Sequence, residues 1–326
     1  MSVAESTSCP VCHSSKSHQW KPHDQEVFTA SKRSIQICES CGNAYSAPLP
    51  SYDEPGLSKD DLSSSSSFEQ RLLDSFLEDR IKTIKRNRAK PPESESLLDI
   101  GAGSGAFARK AAQHGYEVTA IEPELLTKNN TAHAESLNLS WIHSYFDEEA
   151  VAKLQSKNQS FDCITLWHVL EHFPDPSSAI EQARRLLSPN GNIIVCVPRF
   201  GSKQAEFGGY GWTYLDRDHH FTQFSDKGLK QLIANKGLKI DKEISYSKEY
   251  DIFGWFQTWL NKKSRSENLL YLSKKKNIPT EQIDPRAAKT FLIRNSWIAL
   301  FPAAWHVITS WVRRDPCCIY WILKKA

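Results

Sequence analysis

The sequence has no strong excess of charge of either sign: 41 lysines and arginines stand against 38 aspartates and glutamates, a formal net charge of +3. So small an excess argues against nucleic acid as a partner, because phosphate-binding surfaces concentrate many cations. The chain also lacks internal repeats, and its first residues, MSVAESTSCPVCHSS, include no apolar segment typical of a secretory signal. We therefore expect a cytoplasmic protein, of ordinary globular composition with 40% hydrophobic and 24% charged residues.

Cysteines are not scattered along the chain: four of the eight form two CxxC pairs near its start, separated by 25 residues. Four thiolates can enclose one Zn²⁺ tetrahedrally, and a two-residue gap lets each pair chelate the ion from a tight turn. The segment EVFTASKRSIQIC between the pairs could supply a β-hairpin, as in a zinc ribbon. A redox cluster and free thiols are the alternatives. The predicted metal ligands are Cys9, Cys12, Cys38 and Cys41.

An alternation of strands and helices begins at Leu97. The apolar runs FDCITL and NIIVCVP are typical of strands buried on both faces, and the pattern SSAIEQARRLLSPNG between them predicts a helix with Pro-Asn-Gly as its stop. This order predicts a mainly parallel sheet covered by helices. Further helices are predicted over 68–88, from the spacing of its apolar residues, and over 125–137.

The stretch 251–316 interrupts this alternation. It contains the aromatic and basic segment WFQTWLNKKSRSENLLYLSKKKN and about 18 mainly apolar residues, NSWIALFPAAWHVITSWV, at the lower length limit for a membrane span. A span is disfavoured because a second crossing would be needed to return CCIYWIL to the sheet. Two interpretations stay open: a lid packed on the catalytic domain, and a peripheral membrane contact supported by Trp297, Trp305 and Trp311.

These changes in pattern divide the 326 residues into five segments. The expected segments are a zinc-ribbon-like module over 1–50, a linker and helix over 51–95, a core over 96–250, the basic and aromatic insertion over 251–316, and a final core strand over 317–326.

A glycine-rich segment, DIGAGSG, runs from Asp99 to Gly105 between a predicted strand and a predicted helix. Glycines let the backbone approach a ligand closely and leave amides exposed at the helix start. The next strand, YEVTAIEPE, leads to Glu122, whose carboxylate can accept hydrogen bonds from both hydroxyls of a ribose. The spacing is GxGxG rather than the GxGxxG of dinucleotide binders, which counts against a nicotinamide oxidoreductase. A glycine turn of some other α/β enzyme is the simpler alternative.

The segment DIGAGSGAFARKAAQHGYEVTAIEPE resembles motif I and the following acidic strand of class I S-adenosylmethionine-dependent methyltransferases. FDCITLWHVLEHFPDP, ARRLLSPNGNIIVCVPRFGS and WTYLDRDHHFTQFS are similar to a bacterial family of these enzymes. The resemblance implies an α/β, Rossmann-like fold: a doubly wound, mostly parallel seven-stranded sheet, with an N-terminal zinc ribbon and a helical insertion before the last strand. Where the family carries LDPPRH this chain carries LDRDHH, so the pattern does not identify the substrate.

The resemblance also implies roles around the cofactor S-adenosyl-L-methionine. The glycines would pack under its methionine and ribose portions, Asp99 would hold the loop or the cofactor's amino group, and Glu122 would bind the ribose. Residues after the third strand would flank the adenine, and residues after the fourth would line the methyl-donor end, with plain core packing as the alternative for the aromatic ones. The expected contacts are Asp99, Gly101, Gly103, Gly105, Glu122, Tyr145, Phe146, Asp147, Leu166 and Trp167.

Methyl transfer is an in-line displacement, so the protein mainly positions the acceptor and excludes water. A hydroxyl acceptor also needs a base, and the candidates are His168, His172 and His220, although for each taken singly a structural role is favoured. The expected acceptor is a small or amphiphilic molecule: a lipid, a quinone precursor or a saccharide. A non-catalytic binding module, formed by the zinc ribbon and a degenerate Rossmann-like domain, is the alternative, and the sequence does not determine the oligomeric state.

Overall fold

The structure is a computed structural model that describes residues 8–24, 28, 31–51, 67–87, 95–123, 137–265 and 285–326. Most of the predicted linker, most of the helix predicted over 125–137, and residues 266–277 of the aromatic and basic segment lie outside these residues.

The described elements alternate in type through the second half of the chain as the sequence pattern predicts. The strands are β1 (Ser17–Gln19), β2 (Ser34–Cys38), β3 (Ala44–Ala47), β4 (Ser96–Ile100), β5 (Glu117–Ile121), β6 (Leu139–Ile142), β7 (Phe161–Trp167), β8 (Leu187–Pro198), β9 (Thr222–Gln223), β10 (Leu238–Glu243) and β11 (Cys318–Lys325). The helices are α1 (Ser67–Asn87), α2 (Ala106–Gln113), α3 (Glu148–Ser156), α4 (Pro176–Leu186), α5 (Lys203–Gly208), α6 (Asp226–Asn235), α7 (Phe253–Ser264) and α8 (Pro285–Arg313).

The described residues fall into two compact units. The first unit comprises those of 1–55, 198–229 and 244–319, and the second those of 56–197, 230–243 and 320–326. These units are defined by contacts between residues, whereas the five predicted segments are consecutive stretches of the chain. The boundaries of the five segments remain predictions.

The larger sheet has seven strands in the order β10-β11-β8-β7-β4-β5-β6. The pairs β4–β5, β4–β7, β5–β6 and β7–β8 are parallel, and β11 pairs with β10 antiparallel. The predicted mostly parallel, Rossmann-like sheet is thereby confirmed. The chain proceeds outward from β4 in both directions, so the strand order reverses between β4 and β7, and open α/β sheets bind ligands at the carboxyl ends of the strands at such a point.

One boundary differs from the sequence pattern. The helix predicted over SSAIEQARRLL, with Pro-Asn-Gly as its stop, ends at Leu186, and β8 begins at Leu187 rather than within NIIVCVP. Pro189 is consistent with the predicted stop, because a proline disfavours helical geometry in the residue before it and cannot donate a helical hydrogen bond.

Helix α1, predicted from its apolar spacing, is confirmed and joined to α2 by ion pairs. Glu78 lies 2.9 Å from Lys110 and 3.0 Å from the Nε2 atom of His114. Lys110 also contacts Asp74 at 2.5 Å. The hydrogen bond from His114, and next that from Lys110, hold the pKa of Glu78 to about 2.

This lowered pKa predicts an acid-dependent loss of stability. A carboxylate whose pKa falls on folding contributes stability above its unfolded pKa, about 4.3, and the contribution disappears as the pH falls towards 2. Because the side chain of Glu78 is 31% exposed, we expect Glu78→Gln to cost at most about 1 kcal/mol at pH 6, with the difference from wild type shrinking below pH 4. Urea unfolding across this range measures it. Glu117→Gln, an exposed glutamate on β5, is the control and should show no such trend.

In the first unit, helices α5, α7 and α8 form a separate cluster. Trp255 of α7 is buried against Ala303 and Val307 of α8, and its indole donates a hydrogen bond to Ser310 at 3.2 Å. Its ring also stacks on His306, with centroids 4.4 Å apart. The predicted helical insertion before the last strand is therefore present. Among the helices that the structure describes, none is long and apolar enough to cross a bilayer.

Candidate cofactor site and metal centre

The glycine loop after β4 has a backbone that other residues would strain. Gly101, Gly103 and Gly105 have φ values of 69°, 55° and 74°, in the left-handed region. A Cβ atom on Gly101 would lie 2.3 Å from Val169 Cγ2, and one on Gly105 would lie 2.5 Å from the ring of Trp141. The glycines are thus required by conformation, and two of them by space as well.

Glu122 directly follows β5 and is held at this loop. Its Oε2 atom accepts a hydrogen bond from the amide of Gly103 at 2.8 Å. The backbone amide of Gly101 donates to the carbonyl of Ile121 at 2.9 Å, which fixes the loop against the end of β5. The acid and the glycine turn, 17 or more positions apart in the sequence, therefore lie together, and binding of a ribose by Glu122 stays a prediction.

Asp99 sits on β4 at the base of the loop and is 2% exposed. Its Oδ1 atom accepts a hydrogen bond from the hydroxyl of Thr165 on β7 at 2.7 Å. The contact joins β4 to β7 where the strand order reverses and so supports the loop-holding half of its predicted role. Sequence reasoning did not single out Thr165, whose only signal was its place in the middle of a buried strand.

The three residues after β6 have different surroundings. Tyr145 is 43% exposed. Phe146 is buried, and its ring packs edge-on against that of Phe173, with centroids 6.4 Å apart. Asp147 caps α3, because its Oδ1 atom accepts from the amide of Ala150 at 2.9 Å. Their adenine contacts remain predictions, and of the two aromatic rings only that of Tyr145 is exposed.

Trp167, at the end of β7, is enclosed by side chains from three directions. Its ring packs edge-on against the rings of Phe107 and Tyr320, with centroids 5.4 and 5.3 Å from its own. The guanidinium of Arg80 lies 4.9 Å from its centroid, within the range of a cation–π contact. Leu166 before it is fully buried. These contacts favour the packing role for both residues, and their roles at the methyl-donor end stay predictions.

His168 begins the loop after β7 in a left-handed conformation, with φ 52°. Its Nδ1 atom lies 3.4 Å from Glu171, whose side chain is 1% exposed. Burial lowers the pKa of His168, but the neighbouring Cys196 and Glu171 outweigh it and raise the pKa above the ordinary value. His172 closes the 3₁₀ turn Leu170–His172 and is half-buried.

His220 belongs to the first unit and is 2% exposed. Its Nδ1 atom lies 3.3 Å from Nε2 of Gln223, and its carbonyl accepts from the hydroxyl of Ser46 at 3.0 Å. The role of each of the three histidines as a base remains a prediction.

The residues that depart from the family pattern have structural partners in the first unit. The guanidinium of Arg217 donates to the carbonyls of Phe28 at 2.9 Å and Arg33 at 3.1 Å. Asp218 forms an ion pair with Arg33 at 2.7 Å. β9, a few residues further on, pairs antiparallel with β3 and completes a four-stranded sheet in the order β1-β2-β3-β9. Arg217, Asp218 and β9 therefore connect 198–229 to the N-terminal part of the first unit. The sequence pattern did not indicate this connection.

The four predicted metal ligands come together in the N-terminal part of the first unit. The sulfur atoms of Cys9, Cys12, Cys38 and Cys41 all lie within 4.8 Å of one another. The Cys9–Cys41 and Cys12–Cys38 separations are 3.7 and 3.5 Å. A tetrahedral zinc ion with Zn–S bonds of about 2.3 Å sets its sulfur atoms about 3.8 Å apart, so the geometry fits such an ion.

The two CxxC turns are closed by the same kind of backbone hydrogen bond. The amide of His13 donates to the carbonyl of Cys9 at 2.9 Å, and the amide of Gly42 donates to that of Cys38 at 2.9 Å. His13 and Gly42 both have positive φ, at 58° and 78°. Hydrogen bonding by Cys41 lowers the pKa of Cys9 to about 5, so the Cys9 sulfur readily takes the thiolate form that metals bind.

The sheet order, the glycine loop and Glu122 together define a class I methyltransferase domain. The profile of a methyltransferase-domain family matches residues 70–243, more than half of the chain. The chain therefore belongs to this family of S-adenosylmethionine-dependent methyltransferases.

Two curated relatives share part of the sequence. A ubiquinone biosynthesis O-methyltransferase of Alkalilimnicola ehrlichii is 32% identical over 124 residues, which cover 38% of this chain and 49% of the relative. Its counterpart from Xanthomonas axonopodis pv. citri is 29% identical over 159 residues, covering 46% and 65%. The chain thus spans about half to two thirds of the length of these relatives.

Solved structures with a related backbone are more distant in sequence. Coclaurine N-methyltransferase bound to N-methylheliamine and SAH is 14% identical, with a TM-score of 0.45, and the match covers 82% of this chain and 73% of that one. The 1,6-didemethyltoxoflavin-N1-methyltransferase of Burkholderia thailandensis is 16% identical, with a TM-score of 0.38 over 69% and 91%.

Proposed function

We propose that this protein transfers a methyl group from S-adenosyl-L-methionine to a small, amphiphilic acceptor. The observation that carries the proposal is the hydrogen bond between Gly103 and Glu122, which brings the loop amides and a carboxylate to the end of the sheet. A carboxylate there suits the two hydroxyls of a ribose, and the left-handed glycines leave the backbone open to the ligand. The cofactor, when bound, supplies an activated methyl group on a sulfonium.

The chain's own residues would bind and orient. Asp99 and Thr165 stiffen the strand ends below the loop, and Glu122 would hold the ribose. His168, beside the buried Glu171, is the described histidine whose surroundings best suit a proton acceptor in the second unit, because the carboxylate favours its protonated form. His172 and His220 are retained as alternative bases.

The acceptor class rests on two kinds of support. The curated relatives are named as ubiquinone biosynthesis O-methyltransferases, and the match covers about half to two thirds of their length. The basic and aromatic insertion is the second support. Among the expected acceptors, a quinone precursor is therefore preferred over a saccharide.

We also propose that the four cysteines hold one structural Zn²⁺. All four positions are taken by protein thiolates, and zinc sites closed in this way stabilise small folds rather than perform chemistry.

Replacing Glu122 tests the cofactor site. Glu122→Ala should weaken binding of S-adenosylhomocysteine by about tenfold or more, since hydrogen bonds to a charged group contribute about 1.5–3 kcal/mol each. Titration calorimetry measures the affinity. Glu117→Ala changes the other end of the same strand and should bind as wild type does.

Transfer itself is tested with radiolabelled S-adenosylmethionine and membrane extracts. Label in a lipid-soluble product supports the acceptor class, and label only in a water-soluble product contradicts it. A wild-type chain that binds neither the cofactor nor its demethylated product, even at high concentration, would favour the non-catalytic binding module instead.

A further inference from the structure

Helix α8 of the first unit has two unlike faces. Ala303, Val307 and Ser310 are buried, at 6%, 5% and 5% exposure, and contact α7 through Trp255. The opposite side presents large apolar residues to solvent. These residues, here called the apolar stripe, are Ile298, Phe301, Trp305, Ile308 and Val312, with exposed fractions of 54%, 85%, 68%, 54% and 79%.

The spacing of the stripe is regular. Its members follow one another at intervals of three or four residues. With 100° per residue they fall within an arc of about 80°, and with a rise of 1.5 Å they extend over about 21 Å. A continuous apolar ridge of this kind, on a helix already anchored by its other face, marks an interaction surface rather than chance exposure.

The charge of α8 identifies the partner. Its 29 residues include no aspartate or glutamate, and they include four cations, of which Arg313 is exposed at the end of the stripe, followed by the exposed Arg314. Trp311, beside the stripe, meets Tyr246 edge-on at 4.8 Å, so amphipathic rings lie at this end as well. Aromatic rings and arginines beside an apolar ridge suit the headgroup region of a membrane that contains anionic lipid.

A second copy of the chain fits this face less well. Pairing two such helices would bring together eight cations and no acid from α8, and like charges across an interface are repulsive. We propose that the apolar stripe is a docking surface for an anionic lipid bilayer, on which α8 lies in the interface without crossing it. This inference does not depend on the methyl-transfer proposal.

The test is co-sedimentation of the full chain with vesicles of phosphatidylcholine alone or with a quarter phosphatidylglycerol. Wild type should bind the anionic vesicles more tightly, and added salt should weaken the binding. The double variant Phe301→Ser/Trp305→Ser should reduce the partition coefficient by about tenfold or more, because two large exposed rings no longer insert. Leu72→Ser, an exposed apolar residue on α1, is the control and should bind as wild type does.

The charge contribution is tested separately. Arg313→Gln/Arg314→Asn should weaken binding to anionic vesicles by about fivefold per arginine and leave binding to neutral vesicles unchanged. Lys153→Gln/Lys157→Gln, which removes two exposed cations from the region of α3, should have no effect beyond a few tens of percent.

Three results would overturn the proposal: wild type that stays in the supernatant with both vesicles, stripe variants that bind as wild type does, or a dimer in sedimentation velocity that the stripe variants abolish in a chain that binds no vesicles. The last would assign the stripe to a second copy. The thermal shift caused by S-adenosylhomocysteine is measured on every variant, so that failure of cofactor binding is distinguished from failure of docking.

Discussion

Replacing Gly101 by alanine should both destabilise the protein and weaken cofactor binding by more than tenfold. The residue has φ 69°, and its new Cβ atom would lie 2.3 Å from Cγ2 and 2.9 Å from Cβ of Val169. Because the Cβ of valine cannot move without its backbone, the loop itself must shift. The left-handed conformation costs about 1–2 kcal/mol, and overpacking adds about 1–3 kcal/mol.

Gly237→Ala is the matched control for this variant. Gly237 has φ 64°, but a Cβ atom there would meet nothing within 4 Å. It should therefore lose only the conformational part, about 1–2 kcal/mol, and keep its affinity for S-adenosylhomocysteine. Urea unfolding and titration calorimetry on both variants separate the two effects. If Gly101→Ala bound within threefold of wild type, the cofactor would not depend on this turn.

The second large effect is expected at the cysteine site. Cys12 is only partly buried, so Cys12→Ala removes little packing, and its cost should come from loss of the metal. We expect wild type to contain one zinc per chain, and the variant to lose both the metal and a large part of its stability. Elemental analysis and thermal unfolding measure the two quantities.

The control at this site is Cys12→His, which keeps four ligands of a kind that zinc accepts. It should retain most of the metal and most of the stability. A strong chelator should lower the melting temperature of wild type but hardly change that of Cys12→Ala. Equimolar zinc in Cys12→Ala, or a fully stable wild type that contains no metal, would rule out the proposed centre.

Features set by local pattern were predicted well. The alternation from Leu97 onward predicts the parallel sheet, because buried strands need apolar runs and the helices between them need apolar residues at 3.6-residue spacing. The glycines after β4 predict a tight turn, because a left-handed backbone admits few other residues. The two CxxC pairs likewise predict turns that the structure contains, closed by His13 and Gly42.

Features that depend on partners distant in the sequence were not predicted. Arg80 and Tyr320 enclose Trp167 from opposite ends of the chain, so neighbouring residues gave no indication that its ring is packed on three sides. Thr165 orders Asp99 only because β4 and β7 are adjacent. Asp147 is a partial exception. Its cap at the start of α3 is a local feature, but the sequence analysis predicted only an adenine contact for this residue.

By itself, then, the sequence determined the class of fold, the glycine turn, the acid after β5 and the two CxxC turns, because each depends on residues close together in the chain or on a repeating pattern. Only the tertiary structure decided which side of α8 is exposed, which strand joins the N-terminal sheet and what surrounds each candidate base. Those outcomes depend on burial, which results from contacts between residues far apart in the chain.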